Sequence, residues 1–471
     1  MSERQPQAAA KWDLTSGSLG WNMFRLAGPM VVGQLLYSLY GLVDAMWLGR
    51  WAKTALASQA VCWPLFFFVL AATMGFGTAG TVLVSQHTGA GRHEDAARAA
   101  AQTLLLLGVL SSAVAAPLFI LAPQLLRLMQ VPADTVATAE VYLRISLVAL
   151  PLVGFTIGYA AVLRALGDTV TVVIVGLVGN LVNLVLDPLL IFGWAGLPPM
   201  GAGGAALASV VGRSLVALIC FSCLRCGRAG LRISLADLRP HWPTLKRMLA
   251  IGLPVALNRS SDSLGFVVFQ TIINTLGTTV ISAFTIGFRI IHFFNMPAHV
   301  VAAAAAPIVG QALGAGRPRL ARRAVRSSAT FVAGTLFVPL LFLLAFGKVV
   351  ASAFTPDAEV IAEAGRFFTV VPLSSYLFGV LMVLMAAFYG SGHTFPAMVI
   401  GVLRLWVLRV PAAVLLTFVL GWGSLGTYWA MVIGNVCCAA LALVLFLHGR
   451  WEKAVVPVHA ESRQEEGGPS G

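Results

Sequence analysis

The chain has 471 residues, of which 58% are hydrophobic and only 10% charged, and its mean hydropathy is +0.88. A soluble domain carries roughly 25% charged residues, so these totals exclude a soluble enzyme or binding module and define an integral membrane protein. The net charge of +13 fits the Lys and Arg excess that polytopic proteins keep on one side of the bilayer, and no nucleic-acid partner follows from it.

The polar start through Lys11 leads into an apolar segment too long for the h-region of a signal peptide, so the first helix is expected to be retained. Apolar runs of about 18 residues or more then recur twelve times, near residues 21–47, 57–86, 96–121, 138–163, 169–192, 202–224, 245–275, 280–312, 321–347, 361–389, 395–420 and 426–448. Twelve spans put both termini on one side. The connections on that side carry most of the basic residues, among them Arg92, Arg164, Arg228, Arg232, Arg317 and Arg322, whereas the opposite set holds Arg50, Lys53, Arg127, Arg144, Lys348 and Arg366. Both termini and the central linker are therefore expected in the cytoplasm of a multi-pass protein of the cell (inner) membrane. The six cysteines, Cys62, Cys220, Cys223, Cys226, Cys437 and Cys438, lie in or beside apolar runs and read as structural thiols.

The two halves repeat. SQHTGAGRHEDAARAA (Ser85 to Ala100) is similar to GQALGAGRPRLARRAV (Gly310 to Val325), and the same offset of 225 lays ALGDT (Ala165 to Thr169) on GSGHT (Gly390 to Thr394) and Pro29 on Pro254. The expected fold is all-α: twelve transmembrane helices in two six-helix lobes related by a pseudo-two-fold axis along the membrane normal. The domains are a tail (1–20), an N-lobe (21–224), a cytoplasmic linker (225–244), a C-lobe (245–448) and a second tail (449–471). A duplicated, two-lobed membrane chain suits alternating access about a site between the lobes.

Polar residues inside the spans follow helical spacing. On span five Asn180, Asn183 and Asp187 share one face; on span one Gln34, Tyr37, Gly41 and Asp44 make a second stripe. Both acids come a few residues before a tryptophan, Trp47 or Trp194, and so lie at similar depth in one lobe. In a dry site, desolvation and mutual repulsion would oppose ionising both, so the pair could hold one exchangeable proton. Alternatively, the two carboxylates and the Asn183 oxygen could ligate Na+. Pro29 leaves a backbone carbonyl without its helical partner and eases bending of span one.

The first-helix pattern GPMVVGQLLYSLYGLVDAMWLGR (Gly28 to Arg50), the two GAGR loops, LRALGDT and NLVNLVLDP resemble the MATE (multidrug and toxic compound extrusion) family of transporters, over about residues 20–448 and with first-lobe acids most like its DinF-like branch. The resemblance implies two six-helix bundles around a cavity, and export of amphipathic, often cationic organic compounds in exchange for H+ or Na+. It implies cation coupling at Asp44, Asn183 and Asp187, with Asn180 on the same face, and bending at Pro29. The expected partners are a small-molecule organic substrate and membrane lipid, for a monomer with no cofactor and, unless Na+ occupies the Asp44, Asn183 and Asp187 site, no metal.

Further candidates for the substrate cavity are Gln34, Tyr37, Asp262, Arg289 and His292. Asp262 on span seven could serve a second cation site, but span ten lacks the acid that would complete one, so a structural ion pair with Arg259 or Arg289 is the plainer reading. His292, near His299 on span eight, could carry protons or simply pack. A flippase for a lipid-linked precursor is the alternative function, for which the membrane-core arginines Arg213, Arg259, Arg289, Arg404 and Arg409 would matter. A membrane-embedded enzyme is a third reading, and no nucleophile and base can be assembled for it. By the 225 offset, Asp187 falls on Ala412 in the second half.

Overall fold

A computed structural model describes residues 14–227, 231, 233 and 235–457. The outer parts of both tails and the linker residues Arg228 and Arg232 lie outside the described residues. Every span is helical, because with no water in the bilayer core a backbone must satisfy its own hydrogen bonds. The first unit is built from α1 (Leu19–Trp51), α2 (Lys53–Gly89), α3 (His93–Ile120), the short α4 (Ala122–Leu128), α5 (Ala133–Val148), α6 (Leu150–Leu166), α7 (Thr169–Phe192) and α8 (Ala202–Arg225). The second holds α9 (Trp242–Asn274), α10 (Thr278–Gly314), α11 (Pro318–Ser352), α12 (Ala358–Ser391), a final pre-terminal span opened by α13 (Thr394–Val402) and containing α14 (Val410–Val414), and α15 (Ser424–Leu447).

Ten helices among the described residues are long and apolar enough to cross a membrane, and α5 with α6, bent by 45° at Ala149, makes an eleventh span. The twelfth expected span, α9, has the length but not the hydropathy. Its middle reads NRSSDS from Asn258, and these groups are met inside the lobe: Asn258 donates to the Tyr389 hydroxyl (3.1 Å) and Trp406 donates to the Ser261 hydroxyl (2.8 Å).

Chain compactness divides the described residues so that Leu14 and Gly28–Gly252 belong to one unit, and Thr15–Ala27 with the chain from Leu253 onward to the other. Both crossovers fall inside a helix, α1 or α9, at positions 225 apart, and each lies within two residues of a proline, Pro29 or Pro254. The first turns of α1 are held in the second unit, where Asn22, Met23 and Leu26 are buried and Ser328 donates to the Met23 sulfur. Its last turns are held in the first unit by Asp44 and Leu48; from Ala27 to Val43 no residue is buried. Helix α1 is thus fixed at its ends and loosely packed between them, on either side of its proline.

The turns repeat as the sequence does. Gly91 and Gly316, in the two GAGR loops, both have φ of +71°, and Gly167 and Gly392 close α6 and α12 in the left-handed region. After α7 and its counterpart the offset falls to 222: Gly201 and Gly423, both at φ +56°, open α8 and α15. Span eleven also departs from its partner. It is π-helical over Leu403–Arg409 and Leu415–Val419, and a π-turn adds a residue per turn. Gly212 of α8 packs against Gly179 and Asn183, while Gly434 of α15 packs against Arg404 and Arg409. By these glycine contacts the counterpart of Asn183 is Arg409, one residue beyond the position the 225 offset gives.

Candidate functional site

Close packing of α7 on α8 sets the depth of the polar face in the first unit. A Cβ at Gly179 would lie 2.3 Å from Val216 Cγ2, and one at Gly212 would lie 3.0 Å from the Gly179 carbonyl, so only glycine permits this approach. Asn183, one turn beyond Gly179, is buried with both ends of its amide engaged: the oxygen accepts from the Tyr40 hydroxyl (2.7 Å) and the nitrogen donates to the Ser209 hydroxyl (3.1 Å).

One turn further, Asp187 is fully buried and neither of its oxygens has a protein donor. The nearby acid is Asp44, which is itself buried and accepts from the Gln59 amide. An aromatic cluster lies just beyond the two acids. Trp47 and Trp51 of α1 meet Phe192 edge-on at 6.0 and 5.8 Å, and Trp194 stacks on Phe192 at 5.8 Å. The rings follow both acids in the chain, and Tyr40 and Asn183, each one turn before its acid, line the interior.

That interior is a cavity of about 380 Å³ lined by Gln34, Tyr37, Tyr40, Asn180, Asn183, Arg213 and surrounding apolar residues. The expected residues Gln34, Tyr37, Asn180 and Asn183 thus share one space, with the acid pair immediately behind it. Sequence spacing placed these groups on their helices. It gave no sign of Gln59, Ser209 or Tyr40, because partners supplied by another helix leave no local pattern.

Asp262, Arg289 and His292 lie in the second unit. Asp262 is ion-paired, and its partner is Arg404 (2.8 Å), not Arg259 or Arg289. Arg404 also lies over the Phe378 ring at 4.8 Å. The neighbouring Arg409 donates to Asn435 (3.0 Å), whose amide nitrogen is held by Ser374. His292 stacks on Phe288 and lies 6.1 Å from the His299 ring. Among the described residues no cluster of three or more His, Cys, Asp or Glu could hold a metal ion.

Two units of long helices, mostly apolar enough to cross a membrane, with a polar cavity and a buried acid pair in the first, are the features of a membrane transporter. The chain belongs to the MATE family: the MatE family model matches residues 29–189 and 254–415, one segment in each unit. It is 27% identical to a probable multidrug resistance protein NorM of Thermotoga maritima, over 92% of this chain and 93% of that one. It is 24% identical to a protein of Shewanella oneidensis named FAD transporter, over 87% and 90%. Among solved structures, MATE in the bent conformation aligns with a TM-score of 0.85 at 25% identity, covering 93% of this chain and 96% of that one. An outward-facing multidrug resistance MATE transporter aligns at 0.83, with the same identity and coverage.

Proposed function

We propose that this chain is a multidrug efflux transporter that exports amphipathic organic compounds, cationic ones included, in exchange for protons. The observation that carries the proton reading is Asp187, buried without a donor and facing a second buried acid. A carboxylate left bare in such a place costs several kcal/mol, whereas one proton shared with Asp44 removes the charge and supplies the missing hydrogen bond. A sodium ion would instead need both acids ionised, with the Asn183 oxygen shared between it and the Tyr40 hydroxyl.

In this reading the empty pair takes a proton and a loaded pair gives it up as substrate is bound or released nearby. Helix α1 couples the two events, since it carries Asp44 near one end, Pro29 near the other and few buried residues between. Bending at Pro29 would move Tyr37 and Tyr40, and with them the cavity wall. The positive-inside distribution of Lys and Arg supports an inner-membrane protein with both termini cytoplasmic, which we read as a monomer, and the first-lobe acids support placement in the DinF-like branch. The relative named for FAD supports a substrate range that extends beyond cations, and a flippase for a lipid-linked precursor remains the second reading, favoured by Arg213 in the cavity wall.

The test is efflux of a fluorescent organic dye from proteoliposomes under separately imposed proton and sodium gradients. Proton-driven efflux lost in both Asp44→Asn and Asp187→Asn is expected. Sodium-driven efflux, or full activity in both variants, overturns the proton reading.

A further inference from the structure

The first-unit cavity carries a charge that the exchange reaction does not use. Its wall contains Arg164 and Arg213 and no Asp, Glu or Lys. Arg213 lies midway along α8, one turn from the Ser209 that holds Asn183, and is therefore near mid-depth in the span. It is exposed to this space, and no ion pair or hydrogen bond joins it to a described residue. An ionised side chain at membrane depth is costly, and where it faces a cavity it marks the path of something that compensates it.

The second unit shows what a satisfied version looks like. At the position equivalent to Asn183 stands Arg409, and at the position equivalent to Arg213, by the 222 offset, stands Asn435. The same two side-chain types are exchanged between facing helices, and there they bond to each other at 3.0 Å, with the arginine buried. In the first unit that closure is not made: the Asn183 oxygen accepts from Tyr40 in place of an arginine, and its nitrogen donates to Ser209. Arg213 is left open beside two aromatic rings, Tyr37 and Tyr40, whose centroids lie 6.4 Å apart.

We infer that Arg213 is a specificity-determining residue, and that the first-unit cavity takes amphipathic compounds bearing an anionic group, a carboxylate, sulfonate or phosphate, with the guanidinium as counter-ion and the apolar body along Tyr37, Tyr40 and Val173. A guanidinium holds such oxoanions through two parallel hydrogen bonds. The inference rests on the exporter reading and names one of its substrate classes. Outward movement of an anion also runs down an inside-negative potential, so the proton gradient need not drive it alone.

The test uses two dyes that share a xanthene ring and differ in charge, fluorescein (anionic) and rhodamine 6G (cationic), bound at equilibrium to the full chain in phosphatidylcholine nanodiscs. Arg213→Gln is expected to bind fluorescein about tenfold or more weakly than the parent, Arg213→Lys to recover part of the loss, and rhodamine 6G to bind as well or better. No fluorescein binding by the parent, unchanged affinity in Arg213→Gln, or equal loss of both dyes overturns the inference. Phosphatidylglycerol added to the discs separates two sources of the anionic group. Competition with fluorescein that Arg213→Gln abolishes assigns the site to a lipid headgroup, and no competition assigns it to a free amphiphile; both support an anion at Arg213. Efflux assays report separately on the exporter reading: binding of fluorescein with no dye moved under any gradient removes the exporter and leaves the anion site standing.

Discussion

Tyr40 donates its hydroxyl to the side-chain oxygen of Asn183, a hydrogen bond of 2.7 Å between residues 143 positions apart that ties α1 to α7. It is the polar link between the loosely packed helix and the face that carries Asp187. Tyr40→Phe removes only the oxygen. A buried acceptor losing its donor costs about 1–3 kcal/mol, so the thermal midpoint in detergent should fall by several degrees. Coupled efflux should fall further than dye binding, because the ring still lines the cavity while the tie between helices is gone. Equal loss of binding and efflux would show that Tyr40 acts only as cavity wall.

The acid pair makes a second prediction. Asp187 has no protein donor and Asp44 has the Gln59 amide, and in the proposed exchange the two acids share one proton. Asp187→Asn brings its own N–H to Asp44, so the fold should be as stable as the parent or more so, while proton exchange is abolished. In lightly buffered detergent, saturating substrate should release about one proton per parent chain and none from Asp187→Asn. Substrate counterflow, which needs no net proton movement, should persist in the variant. Its disappearance would make Asp187 part of the substrate site rather than of the coupling.

The spans, their number and the three-residue polar face of α7 could be read from the chain because each is a local pattern: a run of hydropathy or a spacing of three and four. Asp44 and Asp187 at one depth could be read because tryptophan follows both. What could not be read is how distant groups meet. The partner of Asp262 is 142 residues away on Arg404, whereas Arg259 is one turn back and was the nearer choice by spacing alone. The register of span eleven was hidden too, since the π-helical stretch Leu403–Arg409 brings Arg409, one residue beyond the 225 offset, onto the place of Asn183. Span seven, polar at Asn258–Ser263, declared its length but not the side chains that would satisfy it.

Helix packing around the site predicts a contrast between glycines. Gly212→Ala must push α8 from the Gly179 carbonyl, backbone against which no side chain can yield. Overpacking of this kind costs roughly 1–3 kcal/mol, and a shift of α7 carries Asn183 away from Tyr40, so stability and coupled efflux should fall together. Gly41→Ala, on the open stretch of α1 where a Cβ meets nothing within 4 Å, should leave stability unchanged or raise it by about 1 kcal/mol through helix propensity. If its stiffened backbone nevertheless slows efflux while dye binding holds, the bending assigned to α1 gains direct support; unchanged efflux would place the bend nearer Pro29.

Gln102 predicts a role for the segment between the units that is independent of the cavity. It is fully buried on α3, donates to the carbonyls of Asp237 and Arg239 (2.8 Å each) and accepts the His241 N–H (2.9 Å). One side chain thus satisfies three backbone groups of the chain entering α9, and an amide is the shortest group that offers both donors and an acceptor for this. Gln102→Ala leaves all three without their partner, so hydrogen–deuterium exchange over 235–241 should rise by about tenfold or more, as expected when hydrogen bonds of about 1 kcal/mol each are lost together. Gln102→Glu keeps the acceptor for His241 but loses both donors, and should fall between parent and alanine. The segment that directly follows α15 is held differently, by the Arg322–Glu452 ion pair and by Trp451, whose indole donates to Phe446. It should therefore exchange at the parent rate in both variants; a rise there would mean that Gln102 supports the whole fold rather than this one connection.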